Sequence, residues 1–167
     1  MGKYTMIRKL MFAALLATPF VTHAQTTLPT THYLPLELAT KAAQATVKAC
    51  AKEGYAVSVA VVAREGAVQV LLKEDRSGPH TGTSAQGKAY TAAAMGRDTA
   101  GLAEFISSNP ANDGLRDMDP RMVIQGGGLP IKFNDVLVAG IGVGGAPTGA
   151  IDAACAVEGL KAIGADL

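Results

Sequence analysis

Residues Val136 to Val143 read Val-Leu-Val-Ala-Gly-Ile-Gly-Val, an eight-residue run without one polar side chain. A continuous apolar run of that length fits a central strand buried on both faces. Such a strand has to be covered above and below, so the rest of the chain must supply a sheet with layers on either side.

The neighbouring patterns supply them. After Pro35, Leu36, Ala39, Ala43, Val47 and Cys50 share one helical face, and Gly54 is the stop. Val57, Val59 and Val61 then alternate with small residues, and a second run covers Val68 to Lys73. Arg64-Glu65-Gly66-Ala67 between them reads as a hairpin turn. A helix is expected over Ala85 to Met95, capped by Thr81, Thr83 or Ser84 and closed by Gly96, followed by a short one capped by Thr99 and reaching Ile106. Ser107 to Pro120 is rich in Asn, Asp, Pro and Gly, and loops of this length are usually functional or mobile. A short strand at Met122 to Ile124, a second at Leu129 to Phe133, the Asn134-Asp135 turn and the apolar strand follow. Thr148 caps a last helix with Ile151, Cys155, Gly159 and Ala162 on one face. This order predicts a single α+β domain over residues 35–167, with a mainly antiparallel sheet flanked by helices.

The N-terminal segment predicts an address. Lys3, Arg8 and Lys9 precede an apolar run from Leu10 to Phe20 and a Thr22-His23-Ala24 cleavage signature, so residues 1–24 read as a signal peptide. Residues 25–34, polar and Thr-rich, read as a flexible tail. Losing the leader changes the balance from 15 basic against 14 acidic residues to 12 against 14, which disfavours nucleic acid as a partner. No later segment offers the ~20 apolar residues that span a bilayer, so no membrane association is expected after cleavage and the protein is placed in the periplasm or outside the cell. In that oxidising compartment Cys50 and Cys155, both facing inward, read first as a disulfide, with two buried free thiols as the alternative. If the first and last helices lie side by side, the bridge closes a loop of about a hundred residues, worth roughly 4 to 5 kcal/mol in the chain-entropy model.

The chemistry-bearing motifs are few. Gly140-x-Gly142-x-x-Gly145 fits the dinucleotide fingerprint, but no parallel strand or acidic residue follows it to hold a ribose; glycines for close backbone approach are the better reading. Only His32 and His80 remain after cleavage, and no pair has metal-ligand spacing. His80 stands in a Gly-Pro loop just before a helix N-terminus, with Arg76 upstream and Lys88 downstream. Helix N–H groups and two cations there would attract a carboxylate or phosphate, and the imidazole offers an iron ligand or a proton donor. A surface loop whose histidine bonds locally is the competing reading.

Asp75-Arg76-Ser77-Gly78-Pro79-His80-Thr81, then Lys88-Ala89-Tyr90-Thr91-Ala92, Gly127-Gly128-Leu129-Pro130, Gly140-Ile141-Gly142-Val143 and Asp152-x-x-Cys155-Ala156 together resemble the haem-binding or haem-degrading family of GlcG-like and HbpS-like proteins. The likeness runs from Leu36 to Ile163, and its cysteines resemble those of exported members. It implies a profilin-like fold with a five-stranded sheet, homo-oligomers, and haem as the cofactor of some members, with slow haem breakdown or redox sensing in a few. Members differ in their axial ligand, so none carries over from the family; from the residues themselves His80, as haem iron ligand, and Thr81 are taken as the binding residues, with Arg76 and Lys88 as partners for the propionates. The alternative is an accessory or sensor protein of the same fold that binds a small organic acid without haem. Two positions depart from the family pattern: Ala63, where an Asp is usual, and Gly144, where a Ser is common.

Overall fold

The computed structural model describes residues 27–167. The leader expected over residues 1–24 and the first two residues of the tail lie outside the described residues. The chain divides into two units, 1–30 and 31–167. Residues 27–30 of the first carry no regular secondary structure. In the second, the run up to Pro35 is likewise irregular, but Leu34 is buried and its carbonyl accepts a hydrogen bond from Gln69 Nε2 at 3.0 Å.

The elements are α1 (Leu36–Lys52), β1 (Ser58–Ala63), β2 (Val68–Lys73), α2 (Thr81–Met95), α3 (Thr99–Ser107), a 3-10 segment (Pro110–Asp117), β3 (Gly128–Phe133), β4 (Val136–Gly144) and α4 (Gly149–Ile163). The sheet is antiparallel throughout, in the order β2-β1-β4-β3. It has four strands, not the five expected. The missing one is Met122 to Ile124, where the backbone bonds to a helix instead: Val123 N–H donates to Thr91 Oγ1 at 2.9 Å. Asn134 and Asp135, both at positive φ, close the β3–β4 hairpin in two residues.

Strand alternation assigns the two layers. Val57, Val59, Val61, Ala139, Ile141 and Val143 face α1 and α4, whereas Ala60 and Val62 face α2. The apolar run of β4 is buried from Val138 to Gly144, as a central strand requires. Its second face is made of glycines. A Cβ on Gly140 would stand 2.6 Å from Ala93 N, and one on Gly142 3.1 Å from Ala89 Cα, so α2 rests with its backbone against that of β4. Gly144 extends the seat, since a Cβ there would stand 3.1 Å from Thr81 O. The fingerprint-like glycines therefore seat a helix, and the departure at Gly144 lets its first turn sit down.

On the opposite face, α1 and α4 pack through Ala42, Ala43, Thr46, Ala156 and Gly159; a Cβ on Gly159 would come within 2.7 Å of Ala42 O. Cys50 and Cys155 are joined there by a disulfide with a Cα separation of 5.4 Å, closing the sequence separation of 105 residues. Two caps differ from expectation. Asp98, not Thr99, caps α3, accepting from Gly101 N at 2.6 Å. Helix α2 starts at Thr81 behind His80, whose side chain makes no capping bond. Thr148 caps α4 as expected, accepting from Ile151 N.

Gly142→Ala forces a methyl into the α2 backbone, and it is expected to cost about 3 kcal/mol, the upper end of overpacking. Gly114→Ala, at a position with open space around it, serves as the neutral control. Urea unfolding of both checks this; a loss below about 1 kcal/mol for Gly142→Ala contradicts the close seating.

Candidate functional site

The glycine seat brings the N-terminus of α2 beside the loop that links β4 to α4. Between them opens a cavity of about 260 Å³, lined by His80, Thr81 and Ser84 of α2, Gln125, and the Gly145–Gly149 loop. The ring of His80 folds back toward Gly78, where a Cβ would stand 2.9 Å from its Cε1. The imidazole is exposed and makes no capping bond; Thr81 N donates to Gly78 O at 3.2 Å, which leaves the Gly82 and Thr83 amides of the first turn without a backbone acceptor.

Beneath the cavity lies an ion pair. Lys88 Nζ donates to Asp152 Oδ2 and to Val143 O, each at 2.9 Å, and both residues are only 2% exposed. Asp152 Oδ1 accepts from Ala146 N at 3.1 Å. One lysine on α2 and one aspartate in the first turn of α4 therefore hold the strand end and the loop in place. The chain passes over them at Gly127 (φ +114), where a Cβ would stand 2.7 Å from Asp152 Cβ and 3.0 Å from Lys88 Nζ. Thr99 Oγ1 fixes the same passage, donating to Gln125 O at 2.6 Å and accepting from Gly128 N at 2.9 Å.

The four residues singled out in the sequence have different surroundings. His80 and Thr81 line the cavity. Thr81 is buried, and its hydroxyl lies 2.7 Å from both Gly78 O and Ser58 Oγ. Lys88 lines the cavity but its charge is held by Asp152. Arg76 is exposed and is not among the lining residues.

A second group went unnoticed in the sequence. On the flank of α2 facing the hairpin, Tyr90 Oη donates to Asp119 Oδ2 at 2.9 Å. Arg121 forks onto the same carboxylate through Nε (3.0 Å) and Nη2 (2.6 Å), and its guanidinium stacks 4.2 Å over the Tyr90 ring. Arg121 and its own backbone bond hold the Asp119 carboxyl well below the usual carboxylate range, and the hydrogen bond to Asp119 pushes the Tyr90 hydroxyl up. Asp119 thus stays ionised and Tyr90 protonated near neutral pH. The length and polarity of the loop before Arg121 were the available signal.

A larger groove, about 590 Å³, lies between α1 and α4 beside Cys155. It offers no imidazole and no cation among its lining residues, whose charged members are Glu53 and Glu158. Among the described residues no cluster of His, Cys, Asp and Glu could hold a metal ion, and no helix is long and apolar enough to cross a membrane.

Comparison with known proteins decides the family. The model described as haem degrading protein HbpS-like matches residues 34–161. The chain belongs to the HbpS-like family. A crystal structure of HbpS is 42% identical, covering 79% of this chain and 91% of that one, with a TM-score of 0.74. A double mutant of Streptomyces reticuli HbpS is 40% identical over 87% and 97% of the two chains, with a TM-score of 0.76. A PduOC:heme complex, at 23% identity over 81% and 98% with a TM-score of 0.74, shares the fold. A comparison with curated proteins finds no match.

In this HbpS-like chain, Lys88→Met strands the Asp152 carboxylate in the interior and is expected to cost about 3 to 5 kcal/mol. Adding Asp152→Asn, which removes the charge, is expected to restore part of that loss. Urea unfolding reads both, and a Lys88→Met protein as stable as the parent contradicts the role given to the pair.

Proposed function

We propose that this protein is an exported haem-binding member of the HbpS-like family, with His80 as the iron ligand and the cavity between α2 and the β4–α4 loop as the polar end of its site. The observation that carries the reading is the exposed imidazole of His80 on an uncapped helix end, beside a preformed cavity. Membership of a family described as haem degrading supports it, as does the heme complex of PduOC on the same fold.

The residues fit the group in kind. Neutral imidazole is a standard haem ligand, and helix amides suit a carboxylate. A porphyrin, however, is too large for a cavity of about 260 Å³. It would lie partly outside, and covering its second face calls for a second copy of the chain, which favours a homo-oligomer. When bound, haem supplies the redox chemistry; the chain holds and orients it. The leader and the Cys50–Cys155 bridge favour a periplasmic or secreted protein. The small polar cavity also suits a second reading, a compact organic acid held by the same amides without haem.

Titration of the purified protein with haemin, followed at the Soret band, separates the two. A saturable band in the parent that shifts or weakens about tenfold or more in affinity in His80→Ala is expected for loss of an axial ligand. No saturable band in the parent overturns haem binding. A band unchanged by His80→Ala removes His80 as ligand.

A further inference from the structure

The sequence placed two cations near the site, and neither reaches the cavity as a free charge. Lys88 is bound to Asp152, and Arg76 is not among the lining residues. The other polar side chains of the lining divide into two sets. Thr81 and Thr148 are engaged within the fold, the first with Gly78 O and Ser58 Oγ, the second as the cap of α4. His80, Ser84 and Gln125 make no side-chain hydrogen bond among the described residues. A ligand entering the cavity therefore meets an imidazole, a hydroxyl and a carboxamide, and no unpaired lysine, arginine or carboxylate.

Of these three, Gln125 is outside every helix and strand, yet its backbone is held on both sides. Thr99, fully buried at the start of α3, donates to Gln125 O at 2.6 Å and accepts from Gly128 N at 2.9 Å. Between those two bonds Gly126 lies against Gly149, the first residue of α4. A Cβ on Gly149 would stand 2.6 Å from Gly126 O, and one on Gly126 3.3 Å from Gly149 Cα. Gly127 then passes over Asp152. The glycines seat this segment on the start of α4, and Gln125 is the one residue of it that lines the cavity.

Ser84 faces the cavity from α2. Its Oγ would lie 3.1 Å from a Cβ on Gly144, so the strand end leaves that hydroxyl its room. A glutamine amide brings two N–H donors and a serine hydroxyl one. A group that accepts from both satisfies them, and the unbonded amides of Gly82 and Thr83 at the helix start favour a negative one. A carboxylate, with two accepting oxygens and no hydrogen to give, meets both demands.

We propose that Gln125, with Ser84 opposite, holds the carboxylate of the ligand in the His80 cavity, through neutral donors in place of a cation. With a haem propionate as that carboxylate, this rests on the haem reading above; a free compact acid is the other source of the same chemistry.

The test titrates haemin and haemin dimethyl ester, whose propionates carry no charge, at the Soret band, and succinate by calorimetry, into the parent, Gln125→Ala and Gln125→Glu. The side chain is exposed, so the three proteins are expected to unfold at the same urea concentration. The parent is expected to bind haemin more tightly than the ester. Gln125→Ala is expected to weaken haemin roughly tenfold, the scale of one hydrogen bond to a charged group. Gln125→Glu, of the same shape but with a repelling charge, is expected to weaken it further, and both are expected to leave the ester near its parent affinity. Equal haemin affinity in all three proteins overturns the assignment. So does an equal loss for haemin and ester, which would mean that Gln125 only shapes the wall. Absence of haemin binding by the parent is a different failure, that of the haem reading itself, and succinate then decides. Saturable succinate binding that is lost in Gln125→Glu supports the carboxylate role, and no succinate binding by the parent overturns it.

Discussion

The site depends on how closely helix α2 approaches strand β4. Gly140, Gly142 and Gly144 present no side chains to it, and Ala85, Ala89 and Ala93 answer from the helix. At that separation the Lys88 ammonium reaches the carbonyl of Val143 and the carboxylate of Asp152. A helix standing a methyl group farther out would leave both charges without their partners in a low-dielectric interior, where an unpaired charge is costly. The cavity beside His80 follows from the same contact, since the loop carrying Ala146 is held by Asp152 and the start of α2 by its seat.

The opposite layer solves a related problem by other means. Small residues bring α1 and α4 together over the sheet, but they bury little area each, at about 25 cal/mol per Å². The Cys50–Cys155 bridge adds a covalent tie between these terminal helices. The chain has no Trp. Both layers therefore rely on close backbone approach and fixed connections rather than on bulky aromatic packing.

Much of this was legible in the sequence because the relevant patterns are local. The apolar run gave the central strand, the Asn134-Asp135 turn its hairpin, and the spacing of Cys50 and Cys155 their inward faces. The glycines of β4 were correctly separated from a nucleotide motif by what fails to follow them. Non-local partners were hidden. Met122 to Ile124 looks like a strand until Gly87 and Thr91 of α2 lie beneath it and Thr91 accepts the Val123 N–H. Lys88 looks like a free cation because its partner is 64 residues away, and Asp119 and Arg121 become a unit only against Tyr90. His80 was visible from its Gly-Pro setting alone, but not the backward fold of its ring over Gly78.

The central claim is that ligand enters beside the start of α2 and not the larger groove between α1 and α4. Haemin is paramagnetic, so its nearby amide signals broaden in a ¹⁵N spectrum of the protein at substoichiometric haemin. Loss of intensity is expected first at residues 78–84 and 145–149. Broadening confined to Ala49, Tyr55 and Ala154, with the α2 end untouched, would contradict the account.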